Sequence, residues 1–164
     1  MTEVAVLAGG CFWGVEELLR KVPGILDTEV GYCNGEGDPT YENVKTGRTG
    51  YAEAVSITFD PTQISYEKLL EMFFQLHDPT TRNRQGNDIG TQYRSAIFVS
   101  TPEQRKTAEK AIAQENASGH WPKPVVTAIE DLKAFYSAET YHQDYLQKNP
   151  GGYTCHFWRR GGPQ

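Results

Sequence analysis

Residues 9–14 read GGCFWG and set the thiol of Cys11 between flexible backbone and two bulky rings, where the apolar run VAVLA passes from a short strand into a helix. A thiol at a helix N-terminus faces free N–H groups and the partial positive charge of the helix end, which stabilise a thiolate and lower the thiol pKa. The preceding glycines let backbone N–H groups approach a bound oxyanion, and Phe12 and Trp13 can wall a small apolar pocket beside the sulfur. That arrangement suits a nucleophile. It also fits a tight corner in which a thiol and two rings are simply packed.

A second group able to do chemistry is Glu53. In the stretch 51–59, Tyr51, Val55, Ile57 and Phe59 share one parity of a strand and Glu53 falls among them, with Ala52, Ala54, Ser56 and Thr58 on the other face. A carboxyl on an apolar face is desolvated, so its pKa rises and the neutral acid, a proton donor near pH 7, is favoured. The alternative is a carboxylate at the strand's edge that reaches water.

Cys33 and Cys155 bring the thiols to three, an odd number without CxxC or zinc-ribbon spacing, which points to free or redox-active thiols in a reducing compartment. His77, His120, His142 and His156 contain no pair at helical three- or four-residue spacing and so offer no clear metal ligand set. SYEK at 65–68 and KTG at 45–47 match serine acyl-enzyme motifs only superficially, since no SDN accompanies them and Ser65 reads as a helix cap. The glycines of GEGDPT lack the strand-to-helix setting of a dinucleotide loop.

These groups are carried by a chain of 164 residues with 38% hydrophobic, 12% aromatic and 23% charged residues, the profile of one globular domain able to bury a core. Its net charge of −5, with scattered basic residues, argues against nucleic acid. The start MTEVAVLAGG lacks a secretory pattern and no run reaches membrane-spanning length, so a cytoplasmic protein without membrane association is expected. Strands are expected at 4–8, 25–32, 51–59, 93–100 and 125–130, and helices at 13–22, after Ser65, after the TPEQ capping signal and at 141–147. Between the second of these helices and the fourth strand lies the long polar loop DPTTRNRQGNDIGTQ. This order predicts an α+β two-layer sandwich, a mixed β-sheet with helices packed on it, followed by a long irregular C-terminal segment.

GGCFWG, PTY ending at Tyr41, YAEAVSITFDP, HDPTTRNRQGNDIGTQYRSAIF, HQDYLQKNP and GYTCHF together resemble peptide methionine sulfoxide reductase of the A type, in the family's order and over nearly the whole chain. The resemblance implies reduction of methionine-S-sulfoxide, free or in proteins, with no bound metal or flavin. It implies that Cys11 attacks the sulfoxide sulfur, Glu53 supplies a proton to the departing oxygen, and Tyr41 and Tyr93 hydrogen-bond that oxygen. Phe12 and Trp13 would hold the S-methyl group, and Asp88 would belong to the polar network. Cys11 would become a sulfenic acid that condenses with a resolving thiol, for which Cys155 matches the family's position, and thioredoxin or another dithiol would reduce the disulfide.

Only nine residues follow Cys155 and none is cysteine, so a single relay step is expected. Cys33 has no family role to carry over and is expected to be a packed bystander. A single catalytic domain spanning 1–164 is expected, monomeric, with 149–164 a flexible segment carrying the resolving cysteine. A thiol peroxidase would need Arg and Thr or Ser around the thiol, which the Cys11 motif does not provide, and a Cys/His hydrolase would need a histidine beside Cys11. A binding module with GGCFWG as a packed corner is the non-enzymatic alternative.

Overall fold

A computed structural model describes residues 1–162; Pro163 and Gln164, the end of the expected C-terminal segment, lie outside the described residues. Strands β1 (Glu3–Gly9), β2 (Ile25–Cys33), β3 (Ala52–Phe59), β6 (Ser95–Val99), β7 (Ala128–Asp131) and β8 (Phe135–Ser137) form one sheet in the order β7-β6-β1-β3-β2-β8. All neighbours are antiparallel except β6 and β7, so the sheet is mixed. Helices α1 (Phe12–Leu19), α3 (Tyr66–Leu76) and α4 (Pro102–Ala117) pack on it, giving the α+β architecture expected from the order of elements.

Alternation decides which side chains meet those helices. Leu7, Val30, Tyr32, Val55, Ile57, Phe59, Ile97 and Val99 point into the main core, where Phe12, Val15, Leu69, Phe73 and Phe74 join them. The opposite face carries a smaller cluster of Val6, Ala8, Cys33, Ala52, Ala54, Ala96 and Phe98, covered by Leu132 and Phe135. Small residues dominate there because the segment that crosses that face is thin. Cys33 is therefore buried on the side of the sheet away from α1, a packed thiol as expected.

The helix starts follow capping chemistry. The Ser65 hydroxyl accepts from the Lys68 N–H at 3.0 Å and the Thr101 hydroxyl from the Gln104 N–H at 3.1 Å. Helix α1 is shorter than the expected span 13–22. After Leu19 the chain tightens into i to i−3 bonds, Lys21 N–H to Leu18 O and Val22 N–H to Leu19 O, because Pro23 cannot continue a helix.

The long polar loop holds structure that its composition hides: a two-residue hairpin, β4 (Arg84–Gln85) and β5 (Asp88–Ile89), then a 3₁₀ turn at Thr91–Tyr93 that delays β6 to Ser95. Expected strand 125–130 forms as Ala128–Asp131. Strand β8 was not expected, since three residues carry no alternation; it exists because β2 offers a free edge. The expected helix at 141–147 is split into a 3₁₀ turn, Thr140–His142, and α5 (Tyr145–Lys148) by Gln143 and a left-handed Asp144.

Fully buried Phe73 meets both Phe74 and His77, whereas Ser65 contributes one exposed cap. Phe73→Ala should cost about 3–5 kcal/mol of stability and Ser65→Ala about 1 kcal/mol, read as shifts in urea midpoint.

Candidate active site

Strand β1 ends at Gly9, Gly10 turns the chain with φ +99°, and Cys11 is the residue from which α1 springs. A side chain on Gly10 would be strained by that φ and would collide with Gln85 of the hairpin. Cys11 is 8% exposed. Beside it, β3 presents Glu53, 2% exposed, on the same face as Val55 and Ile57. The apolar parity thus buries the carboxyl instead of releasing it at an edge.

A cavity of about 160 Å³ is lined by Cys11, Phe12, Trp13, Tyr41, Glu53, Asp88, Tyr93 and Tyr153. Five elements converge on it, and the C-terminal segment adds Tyr153. The first turn of α1 brings the thiol and two rings, β3 the carboxyl, and α2 (Tyr41–Val44), capped by Thr40, brings Tyr41. The hairpin and the 3₁₀ turn after it bring Asp88 and Tyr93. A roomier groove of about 580 Å³ between Glu3, Tyr66, Gln104 and Thr107 holds no thiol and no desolvated carboxylate.

Electrostatics inside the cavity are set by lost hydration. Burial pushes the Glu53 carboxyl up to about 8, and nearby Asp88 adds to the rise; the Phe12 N–H, donating to Oε1 at 3.2 Å, opposes it. That bond occupies one oxygen of the neutral acid and leaves the other to carry the proton. Tyr41 and Tyr93 are likewise raised, first by burial and then by Glu53, so both hydroxyls stay available as donors.

For Cys11 the structure corrects the expectation of a depressed pKa. Its thiol is held well above the ordinary value, first by burial and then by Glu53, with Asp88 and Cys155 adding smaller pushes. The Trp13 N–H does act in the direction expected of a helix end, but burial outweighs it. The site therefore stores two protons, one on sulfur and one on oxygen.

Cys155 does not line the cavity but touches a residue that does: its half-buried Sγ lies 3.9 Å from Asp88 Oδ2 and 3.8 Å from the Gln85 carbonyl oxygen. Residues 150–162 are irregular, as expected of the C-terminal segment, and they are fastened. The His156 ring donates through Nε2 to the Gly9 carbonyl at 2.7 Å, Arg159 N–H reaches the Gln75 carbonyl at 3.0 Å, and Trp158 packs against the core. Burial pushes His156 down to about 4, so the ring is neutral. Gly14, the last residue of GGCFWG, is what admits this segment: a β-carbon there would collide with His156 Nδ1 and Thr154 Oγ1.

Sequence reasoning missed three contributors. Tyr153, whose hydroxyl donates to Asp88 Oδ1 at 3.4 Å, stands two residues before Cys155 within GYTCHF. His142 lies in HQDYLQKNP, and Glu139 just before it; Glu139 accepts the Tyr41 backbone N–H at 2.8 Å and the Tyr32 hydroxyl at 2.7 Å. For Tyr153 and His142 the signal was membership of long motifs without an assignable task; Glu139 lies outside those motifs and carried no such signal. Cys33 stands apart, pushed up to about 12 by burial and by Glu130. Among the described residues no group of three or more His, Cys, Asp or Glu is placed to hold a metal ion, and no helix is long and apolar enough to cross a membrane.

Glu53 also links pH to folding. Its pKa rises from 4.5 when unfolded to about 8 when folded, so the folded state binds the proton more tightly. The group's favourable contribution is full below about 4.5 and is lost as pH rises through about 8. Glu53→Gln, which cannot ionise, should therefore unfold at higher urea than the parent at pH 8, by on the order of 3 kcal/mol, with the gap closing toward pH 5.

Known proteins resemble this chain over nearly its whole length. The sequence model described as peptide methionine sulfoxide reductase matches residues 3–162. Peptide methionine sulfoxide reductase MsrA 1 of Mesorhizobium japonicum is 57% identical over 161 residues, 98% of this chain and 91% of the relative. Crystalline Mxr1 from Saccharomyces cerevisiae in reduced form superposes with a TM-score of 0.92 at 40% identity, covering 97% of this chain and 93% of that one. Mxr1 in complex with Trx2 superposes with a TM-score of 0.67 at 28% identity, covering 97% and 91%.

Proposed function

This chain belongs to the peptide methionine sulfoxide reductase family, and from that premise we propose how its own residues divide the work of reducing a sulfoxide. It is a thiol-dependent peptide-methionine (S)-S-oxide reductase recycled by thioredoxin. One observation carries the division of labour: a cysteine and a carboxylic acid that is neutral up to about pH 8 share one small cavity walled by aromatic rings.

The substrate's S-methyl group sits between Phe12 and Trp13, its oxygen toward Glu53, Tyr41 and Tyr93, and its sulfur toward Cys11. Three substituent directions fixed in this way admit one configuration at sulfur. Glu53 gives its proton to the sulfoxide oxygen, which makes the sulfur electrophilic and cationic. That cation favours loss of the thiol proton, which returns to Glu53, and the Cys11 sulfur attacks. A new S–S bond forms at the substrate sulfur. That bond and the substrate's S–O bond then break as the hydroxyl oxygen passes to the Cys11 sulfur, leaving a sulfenic acid and releasing methionine as the thioether. Raised thiol and carboxyl pKa values fit this order of events, since neither group spends its proton before the oxygen arrives.

Cys155 then attacks the Cys11 sulfur. The S–O bond breaks, the oxygen leaves as water with the Cys155 proton, and a Cys11–Cys155 disulfide remains. Asp88, in contact with the Cys155 sulfur and with the cavity, is the polar bridge between the two stages. The segment from residue 149 moves enough for the sulfurs to meet, and a dithiol exchanges with the disulfide. All groups come from one chain in one domain, so a monomer suffices. No bound metal or flavin takes part in these steps. Thioredoxin-dependent recycling places the protein in a reducing compartment, the cytoplasm in this reading.

Glu53→Gln should slow single-turnover methionine formation by roughly 100-fold or more. The parent's rate should decline above about pH 8, where Glu53 loses its proton, and the variant should lack that decline. An unchanged rate in the variant would remove the proton-donor role.

Cys155→Ser should still release one methionine per chain without reductant but lose turnover with thioredoxin, because no disulfide forms for it to attack. Cys11→Ser should release none. Full thioredoxin-dependent turnover in Cys155→Ser would move the resolving role elsewhere.

A further inference from the structure

His142 is 1% exposed and lies outside the cavity, yet it touches three of the cavity's walls. Its ring centroid is 5.3 Å from that of Phe12, 5.7 Å from that of Trp13 and 4.8 Å from that of Tyr41. Trp13 Nε1 donates to His142 Nδ1 at 3.0 Å. An indole N–H can only donate, so Nδ1 must present a lone pair and the ring proton must sit on Nε2. Nε2 is turned toward Glu139, 4.0 Å from its Oε1.

Trp13 has one other strong constraint. Its indole stacks on Tyr145 with centroids 3.7 Å apart and planes 8° apart. Stacking holds the ring against tilting but does not by itself set where the indole edge lies along the face of Tyr145. A hydrogen bond at the ring's edge does. In a cavity of about 160 Å³, a slide of about 1 Å by one wall changes whether a methyl group fits and where the attached sulfur points.

We propose that His142 is a positioning residue whose Nδ1 lone pair fixes the in-plane setting of Trp13 and so shapes the pocket for the substrate's methyl group. This rests on the reading of Trp13 as a wall of that pocket. The same 3₁₀ turn carries the support of the facing wall, since Glu139 at its start accepts the backbone N–H of Tyr41.

A double-mutant cycle tests it: His142→Phe, Trp13→Phe and the pair, assayed with free methionine-S-sulfoxide and dithiothreitol. His142→Phe keeps a ring in place and removes the acceptor. It should lower kcat/KM about tenfold, the equivalent of about 1.4 kcal/mol, chiefly through a raised KM. In the Trp13→Phe background, where the donor is gone, the same change should have almost no effect. An equal loss in both backgrounds would make His142 a packing residue and overturn the inference. An unchanged KM in Trp13→Phe alone would instead overturn the pocket reading itself. A measurement on the unaltered chain needs no variant of His142: the Trp13 indole N–H, assigned by its disappearance in Trp13→Phe, should exchange slowly with deuterium. Rapid exchange would overturn the bond and the proposal with it.

Discussion

Keeping one carboxyl away from water organises this molecule. Glu53 can be buried only because β3 lies inside the sheet between β1 and β2, with α1 packed over the same face. An isolated carboxylate there would face a large desolvation cost, so the group holds its proton and accepts a single N–H from Phe12. That N–H is one of the free donors at the start of α1. The helix end that would otherwise serve only the thiol is shared between sulfur and oxygen, since the acid on β3 is tied to the N–H of the residue that follows the nucleophile.

Much of this was legible in the residues. The alternation around Glu53 placed it among core side chains, and the spacing in α3 together with its Ser65 cap marked that helix. The resemblance carried by the motifs assigned roles to Cys11, Tyr41, Asp88, Tyr93 and Cys155; the first four line one cavity and Cys155 lies beside it, against Asp88. What could not be read depends on partners distant in sequence. Strand β8 forms against an edge about a hundred residues earlier, and the ring of His142 meets Trp13 across 129 positions. The sign of the Cys11 shift belongs to the same class: a helix terminus is local and visible, while the burial that outweighs it comes only with the folded packing.

The last glycine of GGCFWG shows how local pattern and distant packing combine. Its place in a helix looks costly, since glycine lowers helix stability by about 1 kcal/mol relative to alanine. The missing side chain is the space into which His156 and Thr154 settle, so the motif that carries the nucleophile also carries the seat for the segment bearing its partner. The hairpin completes that seat from the other side through Gln85 and Asp88.

The sheet itself separates the third thiol from the other two. Cys33 lies among Ala52, Ala54 and Phe98 on one side, while Cys11 and Cys155 work on the other, and no side chain passes through a continuous ladder of backbone hydrogen bonds. The sheet thus keeps the third thiol apart from the other two. An oxidised Cys11 has Cys155 on its side of the sheet, while Cys33 is buried on the opposite face at the end of β2. Fidelity of the redox cycle is thereby guarded by placement, with no need for specificity among the thiols themselves.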